Sequence, residues 1–387
     1  MTMAWRRKEM IRAPPRGFDV GTFNVRSYGA KADGTTDDSK AFASAWTAAC
    51  SSIGTVTILI PSGTYLLGPT QFRGPCNNVH SLKIEVQGTL LATTDLSKYP
   101  SDEWLEFARV NNLTLTGGGI FHGRGAVSWP FNKCPMKKDF DKVHRDDKRT
   151  VVDNISSVNP KFFHIAILGC TNFKGTNLKI AAPANSPNTD GIHLERNSRV
   201  SIHRSSIATG DDCVSVGEGN SEVSLTRIKC GPGHGISVGS LGRYEGEGDV
   251  RGLTVKDCSL TGTSNGLRIK TWQNSPGATT AANMTFENIV MDHVDNPIII
   301  DQTYCPYTDC PSNAPSRVKI SDIKFKNIRG TSTTPVAVTL RCSKGMPCRN
   351  VTLHDVSLDY LGGAGTTATC LNVQQAFSGT QNPQRCQ

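Results

Sequence analysis

The chain has 387 residues, 37 of them glycine and 13 cysteine, and a formal net charge of +9. That length supplies ample core. The charge favours nucleic acid, an anionic membrane surface or an acidic polysaccharide as partner, and the cysteine count argues against a reducing cytosol and for a secreted, oxidising setting. No apolar run is long enough to span a membrane, and an aromatic content of 7% without a basic aromatic platform argues against a nucleic-acid binder.

Residues 1–20 are basic and proline-containing and are expected to form a disordered tail, leaving one folded domain over 21–387. The opening MTMAWRRKEMIRAPPRG lacks an apolar core, so no signal peptide is visible in it. TFNVRSYGAKADG reads as an alternating strand ending in a glycine-bounded turn. TTDDSKAFASAWTAAC then places Ala41, Phe42, Ala45, Trp46 and Ala49 on one helical face, with Thr36 or Asp37 as the N-cap. Short strands follow between residues 55 and 125, among them VTILIP, TYLLGP and LKIEVQGTLLA. The charged stretch over 130–150 breaks the pattern and reads as a long loop.

From residue 170 a regular unit recurs: a polar residue, two alternating apolar residues, then another apolar pair. Instances are NFKGTNLKI, RVSIHRSSI, EVSLTRIKC, GLTVKDCSL, NMTFENIVM, DIKFKNIRG and NVTLHDVSL. No such unit buries its apolar face alone, and stacking makes a continuous core. The expected fold is therefore all-β: a single parallel β-helix whose open N-terminal end is covered by the one amphipathic helix. A sandwich of irregular strands is the competitor. Cys305 with Cys310, Cys342 with Cys348, Cys370 with Cys386 and Cys213 with Cys230 read as disulfide staples, and Cys258 as a buried unpaired thiol. The absence of any CxxC pair argues against zinc. Sequons at Asn112, Asn154, Asn283 and Asn350 permit N-glycosylation.

The stretch from Asn188 to Lys270 carries the chemistry. SPNTDGIHL, TGDDCVSVG and GPGHGISVGSLG place Asp190, Asp212 and His234 at a constant interval of 22 residues (212 − 190 and 234 − 212). Equivalent positions on neighbouring coils lie about 4.8 Å apart, so the three side chains form a ladder on one face. Taken singly, NTDG and GDD are ordinary turn sequences, His234 an exposed turn residue, and Arg268 and Lys270 outward-facing strand charges. Jointly, with Asp211 beside Asp212 and with Arg268 and Lys270 at i, i+2 in GLRIKTW, they make a strip of three carboxylates, one imidazole and two cations. Such a strip suits cleavage of an acidic sugar polymer: crowding keeps one carboxyl protonated as general acid, ionised neighbours activate water, and the cations hold substrate carboxylates. A calcium site supporting β-elimination is the chemical rival, with His234 a poor ligand for it.

SPNTDGIH, GDDC, CGPGHGIS and RIK, in that order, resemble the polygalacturonase family of right-handed parallel β-helix glycoside hydrolases, over roughly residues 20–387. The layout is similar to plant pollen exopolygalacturonases. The resemblance implies hydrolysis, with inversion and without a cofactor or metal, of α-1,4 bonds between galacturonates in pectin, exo action being favoured over endo. It implies Asp211 as general acid, Asp190 and Asp212 as the pair that holds and activates water, and His234 as support for the acid's protonation. It places Arg268 and Lys270 on a galacturonate carboxylate, with Asn188 and Tyr304 lining the cleft. A secreted monomer of the plant cell wall is expected. The alternatives are an endo-acting enzyme and a non-catalytic pectin-binding wall protein or allergen of the same fold.

Overall fold

The computed structural model describes residues 20–386 apart from 102, 133–146, 307–313 and 364. Most of the N-terminal tail, most of the charged 130–150 stretch and Cys310 lie outside the described residues.

The strands alternate buried and half-exposed positions, as in Gly54–Ile60, and pair with strands one coil away rather than with their sequence neighbours. Every named strand pairing is parallel, which excludes the sandwich. The result is a right-handed parallel β-helix. One inward column shows how the core is built. Phe173, Val200, Val223, Leu253, Met284, Ile323 and Val351 stand in register on successive coils, and all are buried. Two columns along, Phe286 and Phe325 stack with centroids 5.0 Å apart.

The polar residues of the recurring unit are its corners. Asn177, Arg204, Arg227, Asp257, Asn288, Asn327 and Asp355 occupy equivalent positions, each with φ between +52° and +56°. The chain turns there through the left-handed region, where asparagine and aspartate are better tolerated than branched residues. The column is also stitched by side chains: Asn288 Nδ2 donates to Asp257 Oδ1 at 2.9 Å, and Asn327 Nδ2 to Asn288 Oδ1 at 2.8 Å.

Helix α1 (Ser39–Cys50) buries the five residues expected of it and packs on the first coils, covering that end of the core. Its N-cap differs from both sequence candidates. Asp38 holds the position but gives the helix no side-chain bond, because its carboxylate accepts from the backbone N–H groups of Lys31 and Ala32 at 2.7 and 3.1 Å. Thr36 and Asp37 belong to the preceding strand, Asp33–Asp37, although Asp37 Oδ1 still accepts from the Ser39 N–H. Disulfides join Cys213 to Cys230, Cys342 to Cys348 and Cys370 to Cys386 as expected. A fourth, Cys50 to Cys76, was not anticipated. Cys258 is a buried thiol whose ionisation burial pushes up to about 11.

Candidate active site

One sheet of eight parallel strands carries the candidate site residues or begins just after them. The strands are β1 (Ile165–Leu168), β2 (Ile192–Glu195), β3 (Val214–Val216), β4 (Ile236–Leu241), β5 (Asn265–Trp272), β6 (Asn296–Tyr304), β7 (Val336–Arg341) and β8 (Thr367–Leu371). Ile192 pairs with Val214 and Val214 with Ile236, so the coil around β2, β3 and β4 is the 22-residue interval of the sequence. Leu267 follows Ile236 by 31 residues and Ile298 follows Leu267 by 31. Asp190, Asp212 and His234 each stand two residues before a strand, in register on adjacent coils.

The three carboxyls sit in different surroundings. Asp212 is 2% exposed and accepts from Ser237 Oγ at 2.6 Å, Arg268 Nη2 at 2.8 Å and Lys270 Nζ at 3.0 Å. Burial alone would push its ionisation up, but Lys270 and then Arg268 overcome it and hold the carboxyl below the usual carboxylate range. Asp190 is also buried, and burial, followed by the charges of Asp211 and Asp212, raises it well above that range. The bond from Ser215 Oγ at 2.6 Å and the Lys270 charge oppose the rise. Asp211 is half-buried. Its Oδ1 lies 2.9 Å from His234 Nδ1 and accepts from the Asp212 N–H at 2.8 Å, while Oδ2 accepts from Asn188 Nδ2 at 3.2 Å. The bond to Asp211 raises the imidazole of His234 above its ordinary value.

Tyr304 pairs in register with Trp272, meets its ring edge-on at 5.5 Å, and has Lys270 Nζ 5.4 Å from its own ring centre. All eight sequence-predicted residues are thus brought together. One emphasis differs: Arg268 and Lys270 were expected to face substrate, and here both are engaged with Asp212. Asp211, Asp212 and His234 also place ligand atoms within 4.8 Å of one another. A divalent ion there would have to share Asp212 with two cations already bound to it, and His234 remains a poor ligand for calcium.

Sequence reasoning missed Ser215, Ser237 and His193. The two serines bond Asp190 and Asp212, and His193 Nδ1 lies 2.8 Å from Ser215 Oγ. The signal was present, because Ser215 and Ser237 share the 22-residue interval, in CVSV and GISV.

Residues 50–380 match the family model described as glycosyl hydrolases family 28. The chain is 47% identical to an exopolygalacturonase of Platanus acerifolia, over 93% of this chain and 96% of that protein. It is 43% identical to a polygalacturonase of Gossypium barbadense, over 97% and 92%. Among solved structures, an exopolygalacturonase from Thermotoga maritima shares the fold with a TM-score of 0.72 at 17% identity, over 92% of this chain and 90% of that one. By family model and by relatives alike, this chain belongs to glycosyl hydrolases family 28.

Proposed function

We propose that the protein hydrolyses α-1,4 bonds between galacturonate residues of polygalacturonate, acting from a chain end and inverting the anomeric centre. The observation that carries this reading is the unequal treatment of three neighbouring carboxyls. Burial and like charge hold Asp190 up, two cations hold Asp212 down, and Asp211 alone is bonded to a titratable imidazole. Divergent carboxyls at one site are the arrangement that acid–base cleavage of a glycosidic bond requires.

Asp211, the most accessible of the three, donates its proton to the leaving glycosidic oxygen as the bond to the anomeric carbon breaks. Water supplies the new bond on the opposite face, and its proton passes to Asp190, with Asp212 helping to hold the water. His234, 2.9 Å from Asp211, supports reloading of the acid. Arg268 and Lys270 offer positive charge to a substrate carboxylate beside Asp212, and Asn188 and Tyr304 flank them. No step calls on a cofactor. Four disulfides among the described residues support work outside the cell on wall pectin, and the reading takes the enzyme as a monomer. Among the described residues no helix is long and apolar enough to cross a membrane.

The test is a time course of polygalacturonate digestion with products sized, run beside Asp211→Asn. Monomer from the earliest points, and a loss of rate of about 100-fold or more in the variant with substrate binding kept, are expected. A ladder of oligomers would mean endo action. Unsaturated ends would replace hydrolysis with elimination, and no product at any acidic pH would leave a binding protein.

A further inference from the structure

Two hydrogen-bond relays of similar build cross the floor of the site. In one, Arg268 Nε donates to Ser237 Oγ at 3.0 Å, and Ser237 donates to Asp212 Oδ1 at 2.6 Å. In the other, Ser215 donates to Asp190 Oδ2 at 2.6 Å, and His193 Nδ1 lies 2.8 Å from Ser215 Oγ. His193, Ser215, Ser237 and Arg268 stand in one column on β2 to β5. Arginine reaches its serine from the following coil, and histidine reaches its serine from the preceding one.

A serine hydroxyl has one proton. Once that proton is spent on a carboxylate, the oxygen can only accept, so the third member must be a donor. Arginine is a donor at every pH the fold survives, whereas histidine donates from Nδ1 only as the cation or as one of its two neutral tautomers. Every group facing His193 bears on that choice. Glu195 Oε2, on the same strand, lies 3.5 Å from Nε2 and is itself paired with Arg196 at 2.6 Å, which also reaches Glu218 at 3.0 Å. The ring of Phe163 stacks on the imidazole at 4.8 Å from the preceding coil, and the Ser215 hydroxyl faces it from the next. Asp190 faces Asp211, Asp212 and Lys270.

We propose that His193 is a positioning residue: with a proton on Nδ1 it fixes the Ser215 hydroxyl on Asp190 and so favours the ionised form of that buried carboxyl, the form that takes a proton from water, against its burial and its acidic neighbours. The alternative arrangement holds the same protons moved one step. From the imidazolium, His193 passes its Nδ1 proton to Ser215, Ser215 passes its own to Asp190, and the ring is left neutral with its Nε2 proton toward Glu195 while the base is filled. Asp212, backed by arginine, has no such second state. The inference rests on the assignment of Asp190 to water activation.

Kinetics on polygalacturonate across pH test it, with His193→Ala, His193→Asn, His193→Gln, Ser215→Ala and the double alanine variant. His193→Ala is expected to lower kcat by about 10- to 100-fold with KM little changed. It should also move the acid limb of the kcat profile to higher pH, because a buried carboxylate that loses a donor holds its proton more tightly. Ser215→Ala should match it, and the double variant should be no worse than either alone. Asparagine presents an amide where Nδ1 stands and should restore most of kcat. Glutamine, whose amide falls nearer the place of Nε2, should not. An unmoved acid limb with a raised KM, additive losses, or failure of asparagine to rescue each overturns the proposal. If the unaltered enzyme releases no product, the family reading is what has failed. The relay is then judged without turnover, by 13C NMR titration of the Asp190 carboxyl, assigned with Asp190→Asn. A higher midpoint in His193→Ala supports it, and an unchanged midpoint overturns it.

Discussion

Asp190, Asp211 and Asp212 are one kind of side chain given three characters by their neighbours, and the differences have a measurable cost. A carboxyl held above its unfolded value of about 3.9 opposes folding once the pH rises past that value, and the opposition vanishes where it is protonated in both states. Asp190 is in that position. Asp190→Asn removes a buried charge repelled by Asp211 and Asp212 and keeps an acceptor for Ser215. It is expected to abolish hydrolysis while raising stability at neutral pH by about 1 kcal/mol, roughly 2 °C in Tm. Calorimetry at several pH values checks the sign: the gain should shrink toward acid, and a gain that grows there refutes it. Asp212 runs the other way. Its contribution is present above the unfolded value and is lost only as the pH falls through its depressed folded value. The carboxylates and cations of this cluster were legible in the sequence because charge on a repeated position is conspicuous. His193, Ser215 and Ser237 keep the same 22-residue interval but were passed over, because a serine or histidine on a strand carries no charge that marks what it bonds.

The elements show where periodic reading works and where it stops. The polar marks of each unit were visible, and their physical role is now clear: they are the left-handed corners that let the chain turn from one face to the next. Helix α1 was legible from its buried face. Its cap was misplaced because the Asp38 carboxylate is bound by the Lys31 and Ala32 N–H groups of the loop just before it, so the residue at the cap position does not bond the helix. The Cys50–Cys76 bridge, tying the end of α1 to the loop before Val79–Val86, escaped notice because one partner ends the helix and the other lies in a loop, so neither stands on a repeated position. Trp46 anchors this end. It packs on Phe72 at 5.3 Å and Phe107 at 6.4 Å, and its Nε1 donates to Arg73 O at 3.2 Å. Trp46→Ala is expected to cost about 3–5 kcal/mol. Because each coil touches only its neighbours, the damage should stay local. Hydrogen exchange should rise over residues 20–73 and stay nearly unchanged over 165–304, and uniform loosening would contradict a one-dimensional stack.

At the scale of the whole molecule, charge and architecture act together. A net charge of +9 against a polyanion predicts that kcat/KM falls several-fold as ionic strength rises from about 0.01 to about 0.15 M, with most of the fall in association. Stopped-flow binding and steady-state rates across that range test it, and salt-independent rates would remove steering from the account. The architecture was legible because stacking writes the same pattern at every coil. The two coils that hold Asp190, Asp212 and His234 are 22 residues around, while the next two take 31 each. A shift of one residue on such a strand would turn its inward side chains outward. The floor of the cleft is therefore closed to change of length, whereas the longer coils beside it have room to grow or shed residues at their corners. Descendants of this chain that turn to other polymers should keep the spacing of their catalytic lines and rewrite the margins.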